Sequence, residues 1–135
     1  LGHSEALLGR VLANRADAVV ATKVGQKVGG DGRIEVDYSA AHIIQACEQS
    51  LRRLQRDTID FYQLHVARLH HLEQGECIAA MEKLQHQGKI RYWGLSLNTF
   101  NPAPEAEFLL QAAKGSGFQL VLNLINQLAL PIVQQ

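Results

Sequence analysis

The sequence predicts an α/β fold in which a parallel sheet is packed against helices. Two periodicities alternate along the chain, helical stripes giving way to short apolar runs, and each strand–helix–strand unit takes about 30 residues, as a parallel crossover requires. The runs are nearly continuous in apolar character, which fits strands buried on both faces.

The elements follow in order. "SEALLGRVLANR" sets Leu7, Leu8, Val11 and Leu12 at helical spacing behind Ser4, whose hydroxyl suits a helix cap. "AVVATK" is small and β-branched, so Ala18 to Thr22 reads as a strand, and the Gly-rich "VGQKVGGDG" after it reads as a mobile loop. That loop matches neither glycine pattern of phosphate-binding loops. "SAAHIIQACEQSLRRLQ" repeats Ile43 or Ile44, Cys47, Leu51 and Leu54 on one stripe, with Ser39 as cap and Arg52, Arg53 and Arg56 near the end, where positive charge complements the helix dipole. "IDFYQLH" is the second strand. A helix around "ECIAAMEKLQHQ" is closed by Gly88, and "KIRYWGLS" is the third strand. "PEAEFLLQAAKG" starts with Pro104 in its first turn and stops at Gly115; "FQLVLN" is the fourth strand. About four strands therefore alternate with four helices. Periodicity leaves open whether they form a doubly wound sheet or part of a (β/α)8 barrel.

Composition narrows the function classes. The 135 residues carry 13 charges of each sign and are 47% hydrophobic, which fits one globular unit over residues 1–135. Balanced charge and no basic face argue against nucleic acid, and no run suits a membrane span. Cys47 and Cys77 have neither disulfide-framework nor metal-ligand spacing, so no metal is expected. They read as small buried side chains, and with no signal-peptide order at the front they point to a reducing cytoplasm.

The polar residues at the strand ends are more informative. Lys23 follows "VVAT", His65 follows "FYQL", Ser96 and Asn98 follow "YWGL", and Asn123 follows "QLVL". Both candidate architectures place function at the carboxyl ends of parallel strands. Four polar termini on one edge would lose hydration without return unless they met one another, water or a ligand. Each has a plainer reading: a solvated lysine, a structural histidine, turn-forming Ser and Asn. His3, His42, His70, His71 and His86 read as ordinary surface residues.

Five segments in succession, "GHSEALLGRVL", "ATKVG", "CEQSLRRLQRDTIDFYQLH", "LQHQGKIRYWGLS" and "VLNLINQ", resemble the aldo-keto reductase family over nearly the whole chain. The resemblance implies a partial (β/α)8 TIM barrel, a small carbonyl substrate, and NADP as cofactor, with NAD the other nicotinamide choice. It places the family's catalytic lysine on Lys23 and its catalytic histidine on His65. The serine and glutamine that hold the nicotinamide carboxamide fall on Ser96 and Gln119. The family's Asn follows that serine directly; here Leu97 intervenes, and Asn98 is the candidate cofactor contact one place later. The family's Asp and proton-donating Tyr fall before or at the start of this sequence, with Leu1 at the Tyr position in one alignment; Tyr38 and Tyr62 do not match that motif. About four of the eight barrel strands fall within the chain. The expected function is hydride transfer between a nicotinamide and an aldehyde, ketone or alcohol, with the isolated chain itself inactive. The alternative is a reductase-like binding or regulatory module without chemistry. Open sheet edges imply self-association in either case.

Overall fold

A computed structural model describes residues 2–12 and 15–134; Leu1, and with it the alignment that would set Leu1 at the Tyr position, lies outside the described residues. Helix α1 (His3–Leu12) leads into strand β1 (Ala21–Val24). An antiparallel ribbon, β2 (Gln26–Val28) with β3 (Ile34–Val36), precedes helix α2 (Ala40–Leu54). Strand β4 (Ile59–His65), helices α3 (Leu69–Gln74) and α4 (Glu76–His86), strand β5 (Ile90–Ser96), helix α5 (Ala103–Gln111), strand β6 (Gly117–Gln119) and helix α6 (Leu130–Val133) follow.

The main sheet has the order β1-β4-β5-β6, and every neighbouring pair is parallel. Spatial order repeats chain order. A doubly wound sheet reverses direction at a switch point, whereas a barrel adds each strand on the same side of the last, so the open alternative resolves to a partial (β/α)8 barrel. One face of the sheet carries the core. Tyr62 and Leu64 of β4 and Trp93 and Leu95 of β5 are buried in the cluster that also holds Ile43, Cys47, Leu51 and Leu54 of α2, Met81 and Leu84 of α4, and Leu109 of α5. Each fully buried Leu or Ile there stabilises the fold by about 1.5–3 kcal/mol.

Local chemistry sets the element ends. Ser39 has extended backbone, and its Oγ accepts the His42 N–H, covering a donor that the first turn of α2 leaves free. Gln55 ends α2 in the left-handed region, its N–H directed to the Arg52 and Leu51 carbonyls.

Several expectations are corrected. The Gly-rich loop is the β2–β3 ribbon, registered Gln26 to Val36, Lys27 to Glu35 and Val28 to Ile34; Lys27 pairs with Asp37 at 2.7 Å across its base. Strand β1 starts at Ala21, because the Val20 N–H is taken by Asp60 Oδ2 and Arg56 donates to the carbonyls of Ala18 and Arg15. Ser4 lies inside α1, whose N-terminus is His3. Leu7, Leu8 and Val11 are exposed, and α1 instead buries Glu5 and Gly9 against α2. His70 and His71 belong to α3, and α5 ends at Gln111, with Ala113 and Gly115 both at positive φ. Strand β6 stops at Gln119, so Asn123 is no strand terminus; its Oδ1 accepts from Ile125 and Asn126 N–H in an exposed turn.

Candidate active site

In a parallel sheet, residues in register share a row, and alternate residues along a strand share a face. Lys23, Gln63, Gly94 and Gly117 form one row; His65, Ser96 and Gln119 form the row two residues nearer the carboxyl edge. Lys23, His65, Ser96 and Gln119 thus project from the same face, the one opposite Tyr62 and Trp93. Neighbouring strands lie ~4.8 Å apart, so His65 and Gln119 stand two strand spacings apart.

Lys23 and His65 also line one cavity of about 550 Å³, with Thr22, Lys27, His42 and Arg53 among its other walls. This cavity follows the outer edge of β1, a strand paired on one side by β4, and so runs from the site face round toward α2. Lys23 is exposed. His65 is half-buried. Its pKa is held below the ordinary histidine value by that burial and then by the positive charge of Lys23. A neutral imidazole keeps one donor and one acceptor nitrogen.

Asn98 is at the rim, and its Oδ1 accepts from the Phe100 and Asn101 N–H groups at 2.8 and 3.1 Å, which makes it a turn former. Ser96 is buried at the end of β5, and Gln119 is exposed. Neither side chain has a hydrogen-bond partner among the described residues.

Three groups at or beside the site carried no sequence signal that singled them out. Glu5, nearly buried, accepts from Thr22 Oγ1 at 2.5 Å and from Arg53 Nε at 2.7 Å, tying α1 and α2 to the residue before Lys23. An acid in a first helical turn reads as a dipole complement, which hides this role. Gln63 is buried between Lys23 and Gly94, its Oε1 without a partner among the described residues. Tyr38, immediately before the Ser39 cap, donates its hydroxyl to the His65 carbonyl at 2.6 Å.

Comparison with known proteins bears on what this edge belongs to. The Aldo/keto reductase family model matches residues 1–129. The chain belongs to the aldo/keto reductase family. An uncharacterized oxidoreductase of Bacillus subtilis (strain 168), YqkF, is 40% identical over 98 residues, covering 70% of this chain and 31% of that protein. Among solved structures, a glycerol dehydrogenase from Gluconobacter oxydans superposes with a TM-score of 0.80 at 32% identity, covering 95% of this chain and 39% of the other. An aldo/keto reductase from Klebsiella pneumoniae, solved in complex with NADP and acetate, gives 0.61 at 32% identity, covering 82% and 34%. The chain thus spans about a third of the length of these aldo/keto reductase relatives.

Proposed function

We propose that this chain carries the lysine, the histidine and the nicotinamide-holding edge of an NAD(P)H-dependent aldo-keto reductase acting on a small carbonyl compound. The observation that carries the reading is the shared face: an ammonium and an imidazole lining one cavity, the imidazole on the same row as a hydroxyl and a carboxamide. The NADP held by the Klebsiella relative supports the choice of cofactor.

The donor set fits a nicotinamide. Ser96 Oγ and the Gln119 amide each offer a donor and an acceptor, the complement of a carboxamide, and neither is committed elsewhere among the described residues. Asn98 has a narrower part, since its Oδ1 serves the turn and its amide N–H groups alone are left for a ligand. A reduced nicotinamide held there supplies hydride to a carbonyl carbon. Ser96 and Gln119 would fix the ring face, which confers the near-attack geometry that lowers the entropic part of the barrier. His65, kept neutral, would donate to the carbonyl oxygen and orient it. Lys23 would favour the phenolate form of a phenol beside it, bringing a group of ordinary pKa ~10 into range for proton transfer near neutrality. Cys47 and Cys77 are free and buried, which supports a reducing cytoplasm as the site of action.

Calorimetric titration with NADPH and NADH tests the reading. Saturable binding that weakens in Gln119→Ala supports it; no binding of either nucleotide by a folded chain overturns it. Trp93 lies on the opposite face and is almost fully buried, so its fluorescence reports folding rather than cofactor.

A further inference from the structure

We infer that Tyr38 is a positioning residue for His65, acting through the main chain rather than by touching a substrate. The inference rests on the role proposed for His65 above. His65 is the last residue of β4, and Val66 after it takes φ 59, the left-handed region. A β-branched residue rarely adopts it, and such a strained conformation persists where neighbours over-determine it. Here both polar groups of the single peptide unit between His65 and Val66 are held. The carbonyl accepts from Tyr38 Oη at 2.6 Å, and the Val66 N–H donates to the Ser96 carbonyl at 2.9 Å. The orientation of that peptide fixes the direction in which the His65 side chain leaves the strand. It also ties His65 to Ser96.

The phenol is itself immobilised. Tyr38 is 8% exposed, and its ring lies 4.4 Å from that of His71. Its other edge lies against Gly25, where φ is 112 and any Cβ would overlap the ring. Gly25 is thereby explained by two demands, a left-handed backbone and the room the ring requires. Burial pushes the Tyr38 hydroxyl up to about 12, so it stays a donor at any pH the fold meets. His71, whose Nδ1 accepts the Arg68 N–H at 3.1 Å, is set by α3. The chain of contacts therefore runs from the ribbon base and α3, through one hydroxyl, to the peptide that aims His65.

A core tyrosine that merely satisfies its hydroxyl would leave the His65 ring indifferent to its loss, and the experiment is built on that difference. The His65 ring nitrogens are titrated by ¹⁵N NMR in the wild-type chain, Tyr38→Phe, Val66→Asn and the double variant, with Trp93 fluorescence reporting cooperative unfolding. Lys23 is the charged group facing the imidazole, and it is present in all four. Tyr38→Phe is expected to fold cooperatively and to move the His65 midpoint upward by about half a pH unit or more, as the ring loosens away from its partly buried seat and from Lys23. Asn tolerates the left-handed region, so Val66→Asn removes the strain that the phenol opposes. The double variant should therefore keep its midpoint closer to wild type than Tyr38→Phe does. Where turnover is measurable, Tyr38→Phe should lower kcat about tenfold with KM for the carbonyl within about twofold.

An unmoved His65 midpoint in a folded Tyr38→Phe chain, or an identical shift with and without Val66→Asn, overturns the inference. The ring titration reads Tyr38 whether or not carbonyl is reduced. A moved midpoint without nucleotide binding keeps the positioning role and sinks the reductase reading; turnover with an unmoved midpoint does the reverse.

Discussion

The charge of Lys23 bears directly on the imidazole of His65. Partial burial, and then the positive charge of Lys23, hold the His65 pKa below the ordinary histidine value and so favour the neutral imidazole. Lys23→Met should raise the His65 midpoint, read from the ¹⁵N shifts of the ring nitrogens. Because Lys23 is exposed, the unfolding free energy of that variant from urea titration should stay within about 0.5 kcal/mol of wild type. Loss of the fold, or an unmoved His65 midpoint in a folded Lys23→Met chain, would refute the assignment. The same shift makes stability depend on pH. The folded pKa of His65 is depressed, and so is that of His71, by burial and then by His70. As pH falls through the unfolded value of ~6.5, the unfolded chain binds protons that the folded chain does not, and stability declines until the folded midpoints are passed. Urea midpoints measured from pH 7.5 to 5 should fall, and His65→Gln should flatten part of that slope. The Asp37 carboxyl, held low by Lys27 and then by the Ser39 hydroxyl, acts in the same direction in a more acidic window, below about pH 4.

Between elements, the packing of α1 on α2 separates what a sequence pattern conveys from what it does not. The helical period of Leu7, Leu8, Val11 and Leu12 correctly marks a helix, yet the face it nominates is largely exposed. The buried face is Glu5 and Gly9, because Arg53 supplies both a partner for the carboxylate and a carbonyl against which Gly9 lies with no room for a Cβ. A periodic count of apolar residues has no way to register an ion pair or a backbone approach. Gly9→Ala should therefore destabilise the fold by about 1–3 kcal/mol, although alanine favours helices, and thermal melts followed through Trp93 would measure it. Unchanged or raised stability would mean that α1 does not sit against α2 as described. Strands β4 and β5 were legible because seven-residue apolar runs survive averaging. The ribbon β2–β3 was not, since two three-residue strands around GGDG show too little alternation. The places of Lys23, His65, Ser96 and Gln119 at the carboxyl edge of the sheet were legible because each closes a strand or matches a family segment, whereas the roles proposed for them rest on the resemblance. Tyr38 was not: it reaches His65 across 27 residues by a hydrogen bond to a carbonyl, and a carbonyl leaves no trace in residue identity.

Among the described residues of this chain, strand order gives the sheet two ends, β1 and β6, each hydrogen-bonded to a strand on one side. Unpaired strand edges recruit other strands unless charge, proline or a covering element blunts them. β1 is four residues long and carries Lys23; β6 is three residues long and is followed by a segment in which Leu124 and Ile125 are 93% and 98% exposed. Apolar side chains so fully in water beside an open edge favour burial against another surface. The edge at β6 should thus dominate association, while the ammonium at β1 resists it. Sedimentation of the chain over a range of concentrations should give masses rising above 14.9 kDa, and replacing Leu124 and Ile125 by Lys should return the mass toward that value. Raised salt separates the two edges: it screens the repulsion at Lys23 but leaves apolar contact at β6 intact or strengthened. Association by the β6 side should persist in the β1 variant Lys23→Met and vanish in the doubly substituted β6 segment. A chain that sediments at 14.9 kDa at every concentration would show that three residues of edge and two exposed aliphatic side chains are too little surface to hold a second copy.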